Sequence, residues 1–89
     1  MKMEIFTVFD KAVGAYLRPF VARSAGEAIR AFEADCLNAE SNVANSPEDY
    51  ALFKIGDFDD NVGAVVGCEP IVLSRAHEVV ARAQRPLRS

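Results

Sequence analysis

The alternation of apolar and polar residues predicts two uninterrupted strands. The clearer one begins at Ala51, where side chains alternate with a period of two, Ala51, Phe53 and Ile55 on one face and Leu52, Lys54 and Gly56 on the other. The first strand covers Met3–Phe9 and has apolar residues on both faces. A strand of this kind is covered on both faces, so we expect it to be central in its sheet or to lie at a subunit contact.

Proline divides two further strands. Ala15–Arg23 contains Pro19, and because proline cannot donate a hydrogen bond to the ladder, we expect an edge strand or a bulge there. Another strand is expected over Ala64–Cys68, where Pro70 interrupts it.

Apolar residues at helical spacing predict two helices. The first follows a capping box in which Ser24 accepts from the third amide and Glu27 reaches back, and it should end near Leu37. The second has Ser74 as its candidate cap and ends at Pro86. The order ββα followed by ββα predicts an α+β fold, a four-stranded antiparallel sheet with two helices on one face. We expect one domain over residues 1–89, with a short frayed tail at 86–89.

Turn residues flank the clearest strand. Before it, residues 38–45 have the composition of a loop, and Ser46 can cap a turn in which Pro47 presets φ. After it comes an acidic turn that ends at Gly63 and includes Asp57, Asp59, Asp60 and Asn61. The turn begins like a calcium loop, but the glycine and the glutamate that such a loop requires each fall one residue late. This favours a solvated turn without a metal.

Composition limits the classes of function. The 89 residues are 51% hydrophobic and 26% charged, which is typical of a folded domain rather than a disordered chain. No apolar run is long enough to span a bilayer and the first residues follow a strand pattern, so we expect a cytoplasmic protein. Cys36 and Cys68 are expected to be free, buried thiols. The single histidine, His77, has no nucleophile at a suitable spacing, and we expect no enzymatic activity, cofactor or metal.

Charge is distributed unevenly along a chain whose net charge is −3. Acidic residues dominate from Glu33 to Asp60, and arginines dominate after Pro70. This separation predicts a dipolar surface once the chain is folded.

Two groups of basic residues could bind nucleic acid. In the strand that contains Pro19, an aromatic, a cation and a second aromatic alternate onto one face and are flanked by further cations; these residues are Lys11, Tyr16, Arg18, Phe20 and Arg23. The alternative is that both aromatics belong to the core. The second group is C-terminal, with its first three members on one helical face: Arg75, Arg82, Arg85 and Arg88. The alternative for this group is a solvated helix surface.

Three segments carry a resemblance to a known family. FTVFD, AYLRPFVARSAGEAIRAF and SPEDYALFKIGDFDDNVG, taken in this order, resemble the small nonstructural protein of the Microviridae, particularly of the gokushovirus branch. The similarity covers Met3 to Gly63. It implies a phage protein that is made in the cytoplasm of the bacterial host and that binds DNA during phage DNA synthesis or packaging.

These observations lead to one expected function and two alternatives. We expect a non-enzymatic accessory protein that binds single-stranded DNA, and a homodimer because of the doubly apolar first strand. One alternative is a protein-interaction module that contacts a host or phage partner through Asp57, Asp59, Asp60 and Asn61. The other is a scaffold that assembles with capsid proteins.

Overall fold

The structure is a computed structural model and describes residues 1–84. Its strands are β1 (Lys2–Asp10), β2 (Ala15–Tyr16), β3 (Phe20–Ala22), β4 (Tyr50–Asp59) and β5 (Ala64–Arg75). Its α-helices are α1 (Ala25–Cys36), α2 (Asn42–Asn45) and α3 (Ala76–Gln84), and a single 3-10 turn covers Pro47–Asp49. The end of the second predicted helix at Pro86 and the tail at 86–89 lie outside the described residues.

All strand pairs in the sheet are antiparallel, and β1 is central. On one side β1 pairs with β4, which pairs in turn with β5; on the other side it pairs with both β2 and β3. The predicted α+β class with an antiparallel sheet is confirmed. β1 is central in the sheet as expected, but the described helices cover only one of its two apolar faces.

Pro19 divides the second predicted strand as expected. The segment splits into β2 and β3, which lie on the same edge of β1. Between them Leu17 stays attached, because its amide donates to the Val8 carbonyl at 2.8 Å and its carbonyl accepts from Thr7 Oγ1 at 2.7 Å.

Pro70 interrupts the ladder of the last strand as expected, but the strand does not stop at Cys68. β5 is an edge strand in the described sheet and runs through Pro70 to Arg75. Lys54 pairs with Ile71 and Gly56 with Gly67, so residues 68–70 bulge out of the ladder. A proline is tolerated at such a place because no neighbouring strand needs its missing N–H.

Among the predicted cap residues, Ser24 is confirmed, whereas Ser74 and Ser46 are not. Ser24 Oγ accepts from the Glu27 amide at 3.2 Å, while the Glu27 carboxylate accepts from the Arg23 amide at 3.3 Å rather than from the amide of Ser24 itself. Ser74 does not cap α3, because it remains in β5 opposite Leu52. Ser46 makes no side-chain cap bond, and the expected loop 38–45 contains the short helix α2.

A bulge in β4 reverses the predicted alternation. Ile5 pairs with Gly56 and Phe6 with Lys54, so Ile55 is the extra residue. An extra residue turns every later side chain to the other face. Gly56 therefore lies on the face of Phe53, not on that of Leu52. β4 also continues to Asp59, two residues beyond the expected start of the acidic turn at Asp57.

The core lies between one face of the sheet and the helices. Phe6 and Leu52 are fully buried there, and Val8, Phe20 and Tyr50 pack against the same cluster. The helices contribute one aromatic residue and several smaller apolar ones, namely Phe32 and Ala28, Cys36, Val43, Ala76 and Val79.

Two facing glycines give a test of the packing between β4 and β5. A Cβ at Gly56 would lie 2.6 Å from the Val66 carbonyl oxygen, whereas one at Gly67 would meet nothing closer than the Ile55 oxygen at 3.9 Å. Gly56→Ala should therefore lower the free energy of unfolding by about 1–3 kcal/mol through overpacking. Gly67→Ala is the matched control and should leave it nearly unchanged. Urea denaturation measures both, and equal effects would contradict this close approach.

Candidate nucleic-acid interface

One face of the sheet carries none of the described helices. Phe6 and Val8 belong to the helix side, so alternation along β1 places Ile5, Thr7 and Phe9 on the other side. Cross-strand pairing extends this assignment to the remaining strands. We call this surface the open face; its members are Met3, Ile5, Thr7, Phe9, Tyr16, Val21, Ala51, Phe53, Gly56, Phe58, Val65, Gly67, Val72 and Arg75.

Three aromatic rings cluster at one end of the open face. The ring of Phe9 lies 4.8 Å from that of Tyr16 and 6.4 Å from that of Phe53, and Tyr16 lies 5.6 Å from Phe53, measured between centroids. Two of these contacts are edge-to-face, a favoured geometry for aromatic pairs. Tyr16 is 47% exposed, so the cluster presents ring surface to solvent. We call it the aromatic cluster.

Two cations lie beside the aromatic cluster. Lys11 and Arg75 line a groove of about 220 Å³ together with Phe9 and Phe53. Within residues 1–84 neither cation forms a salt bridge. Other residues that line the groove are Glu48, Asp49, Tyr50, Ala51 and His77. The carboxylates of Glu48 and Asp49 reduce the positive potential at this end of the sheet, but neither forms a salt bridge with Lys11 or Arg75.

The predicted stacking platform is divided between the two faces. Phe9 pairs with Tyr16, and Phe6 pairs with Phe20. Three residue steps along β1 therefore correspond to four residue steps along the segment that contains β2 and β3. The extra residue in the Pro19 break flips the side chains that follow it. Tyr16 thus joins the open face, whereas Phe20 packs against Phe6 at 5.8 Å beside the core. The prediction that both aromatics share one face was wrong.

The other cations of this predicted site are exposed. Arg18 lies in the break beside Tyr16, and Arg23 lies between β3 and α1. Sequence reasoning missed Phe9 and Phe53, which complete the aromatic cluster. Both stand in well-patterned strands, but only the cross-strand register shows that they meet Tyr16.

The C-terminal arginines do not form the predicted helical face within the described residues. Arg75 is the last residue of β5, not part of α3. Arg82 lies on α3 and its Nη2 donates to Glu33 Oε2 at 3.0 Å. Arg85 and Arg88 lie outside the described residues. Arg75 is therefore the member of this group that the structure brings to the aromatic cluster.

The acidic residues of the turn make local contacts. Asp57 lies 3.3 Å from Lys54 Nζ, the Asp59 carboxylate accepts from the Asn61 amide at 2.9 Å, and Asp60 pairs with the terminal amine of Met1 at 2.8 Å. Lys54 also pairs with Glu4 at 3.2 Å, and the hydrogen bond that its ammonium donates to Glu4 raises the pKa of Lys54. These contacts leave fewer free charges at the turn than the sequence indicates.

The two thiols differ in environment. Cys36 is buried as predicted, but Cys68 is exposed, because it belongs to the bulge of the edge strand β5. Burial, followed by the nearby carboxylates of Asp35 and Glu33, raises the pKa of the Cys36 thiol to about 11.

Comparison with known proteins adds the family. No helix among residues 1–84 is long and apolar enough to cross a bilayer. Residues 3–79 match the family model described as Phage ORF5 protein. The chain belongs to this family. The match with the ORF5 family extends from β1 into α3 and confirms the expected phage origin, so the protein acts in an infected host. No curated protein and no solved structure matches the chain.

The thiol environments predict selective labelling of this ORF5-family protein. Because the pKa of Cys36 is raised to about 11, its thiol stays protonated at neutral pH, and the thiolate is the reactive form. We expect a disulfide reagent to modify Cys68 rapidly and Cys36 only after unfolding. Cys68→Ser should abolish the rapid reaction in a colorimetric assay. Rapid reaction of that variant in its folded state would contradict the burial of Cys36.

Proposed function

We propose that this ORF5-family protein binds single-stranded DNA through the aromatic cluster on the open face. It would do so in the host cytoplasm, during the DNA synthesis or packaging of a Microviridae-type phage, and without catalysis. The observation that carries the proposal is the position of three solvent-accessible aromatic rings beside two cations that have no salt bridge within the described residues.

The chemistry of single strands fits this arrangement. Bases that are not stacked in a duplex can lie against aromatic side chains, while Lys and Arg contact the phosphates that join them. Tyr16 offers the most accessible ring, with Phe9 and Phe53 behind it. A duplex keeps its base faces covered, so this surface should favour single strands.

The charge distribution sets the expected strength. The net charge is −3, and the described cations include Lys54 and Arg82, which are paired with acids. Lys11 and Arg75 line the groove beside the aromatic cluster, and Arg18 follows Tyr16 by two residues in the chain. With about three phosphate contacts, log K for a single strand should fall by about 2 per tenfold rise in salt. We therefore expect modest affinity that depends strongly on ionic strength.

Removing the exposed ring tests the stacking. Tyr16→Ala should weaken binding of a labelled oligothymidine by about 1–3 kcal/mol, the usual contribution of one stacked base, as measured by fluorescence anisotropy at low salt. Leu37→Ala is the control, because Leu37 is 56% exposed at the end of α1 on the helix side. Absence of binding by the folded wild type, or unchanged binding by Tyr16→Ala, would overturn the proposal.

Removing charges tests the phosphate contacts separately. The double variant Lys11→Gln and Arg75→Gln should reduce the salt slope of log K by about 1.4, since each phosphate contact to a single strand contributes about 0.7. Arg30→Gln removes a cation from the exposed side of α1 and should leave the slope unchanged. Equal slopes for all variants would place the phosphate contacts elsewhere on the protein.

The acidic turn offers a further control that also tests the interaction-module alternative. Asp59→Asn with Asp60→Asn removes negative charge at the hairpin, at the opposite end of the sheet from the aromatic cluster. DNA affinity should stay the same or rise slightly as the net charge becomes less negative. Loss of a phage or host partner in a pulldown, with no DNA binding by the wild type, would favour the alternative function.

A further inference from the structure

The open face changes chemistry along its length. Away from the aromatic cluster, near the beginning of β1, its side chains are apolar throughout. They form what we call the apolar patch, which consists of Met3, Ile5, Val21, Phe58 and Val65. The acidic residues Glu4, Asp57 and Asp59 at this end of the sheet lie on the opposite side, because they alternate with members of the patch. None of the described cations belongs to the patch.

The surface of the apolar patch is uneven. Gly56 and Gly67 face each other across β4 and β5, so this row lacks side chains. In the next row on the same face, Phe58 and Val65 face each other and stand higher. A ridge therefore lies directly beside a notch, which is open to solvent at Gly67 and closed at Gly56, a buried residue. One surface that carries both features can pack against a copy of itself across a two-fold axis, because each ridge enters the other copy's notch.

The neighbouring edge of the sheet is a poorer docking surface than this face. β5 is the outermost described strand on its side, but residues 68–70 bulge from its ladder and Pro70 lacks an N–H. Bulges and prolines are the devices that protect edge strands from pairing with other chains. The apolar patch has no comparable protection, because none of its side chains is charged.

We propose that the apolar patch is the contact surface for a second copy of this chain, with the two sheets packed face to face. DNA is a poor occupant because the patch offers no cation for phosphates. A self-contact needs no charge complementarity, and the ridge beside the notch supplies the shape. The aromatic clusters would lie at the outer ends of the pair and stay accessible. This inference is independent of DNA binding.

The size of the apolar patch sets the strength of the contact. Four strands about 4.8 Å apart and five residues at about 3.4 Å give roughly 300 Å² of projected area per copy. Standard stable interfaces bury about 800 Å² per partner, so we expect a weak dimer that dissociates on dilution. Both copies carry a net charge of −3, and salt screens their repulsion. Salt should therefore strengthen the dimer, whereas it weakens DNA binding.

Adjacent valines on β5 provide a matched pair of variants. Val65 and Val66 are 66% and 64% exposed, but Val65 lies on the apolar patch and Val66 on the other face. Val65→Glu should weaken the dimer by at least about tenfold, because each carboxylate would be buried against the partner. Val66→Glu adds the same charge and should leave the dimer unchanged. Gly67→Ala places a Cβ in the notch that meets nothing closer than 3.9 Å inside the monomer, and it should also weaken the dimer.

Sedimentation velocity over a wide range of protein concentration measures the effect, with circular dichroism to verify folding and a short oligothymidine to measure DNA affinity. A wild-type dimer that Val65→Glu disrupts and Val66→Glu retains supports the proposal. A wild type that stays monomeric at high concentration, or equal effects of both variants, overturns it. A monomer whose oligonucleotide affinity falls on Val65→Glu would assign the patch to DNA instead. Tyr16→Ala should leave dimerisation in the sedimentation experiment intact. The DNA proposal can therefore fail in the affinity measurement without contradicting the dimer.

Discussion

The structure depends on the packing of one side of β1 and β4 against α1 and α3. Phe6 and Leu52 are fully buried there, and both helices contribute apolar residues to the same cluster, among them Phe32. A sheet has two faces, and the described helices cover only one of them. The apolar character of the uncovered face is therefore the main functional clue in the molecule. In a chain of 89 residues that face is a large fraction of the surface, and an exposed apolar area of this kind usually marks an interaction site.

Sequence patterns predicted the existence of the helices and strands better than they predicted the face on which each side chain lies. The period of two in β1 and β4, the helical spacing of α1 and the cap at Ser24 are local properties, and the structure agrees with them. The bulge at Ile55 and the extra residue beside Pro19 are not local, because they arise from pairing with β1. Each reverses the orientation of the side chains that follow. Strand existence could be read from composition, whereas register required the partner strands.

The same limit applies to the candidate site. Tyr16, Arg18 and Lys11 were accessible to sequence reasoning because they are neighbours in the chain. Phe9 and Phe53 reach the aromatic cluster from strands about 40 residues apart in the sequence, and nothing in either strand alone indicates this. Pairing of Arg82 with Glu33 on a different helix likewise removed a cation that sequence had assigned to a binding surface. Charge counts along a chain therefore overestimate the cations that remain free after folding.

The short break between β2 and β3 has a consequence for how the chain can vary. Surface connections usually tolerate gain or loss of a residue. Here the three residues Leu17–Pro19 decide which ring faces solvent and which enters the core. Deleting one of them would remove the extra residue and leave three steps on both strands, so Tyr16 would stay opposite Phe9 and Phe20 opposite Phe6 in a regular ladder. This connection should consequently tolerate the loss of one residue, whereas pairing of all three residues in a regular ladder would turn Phe20 out of the core.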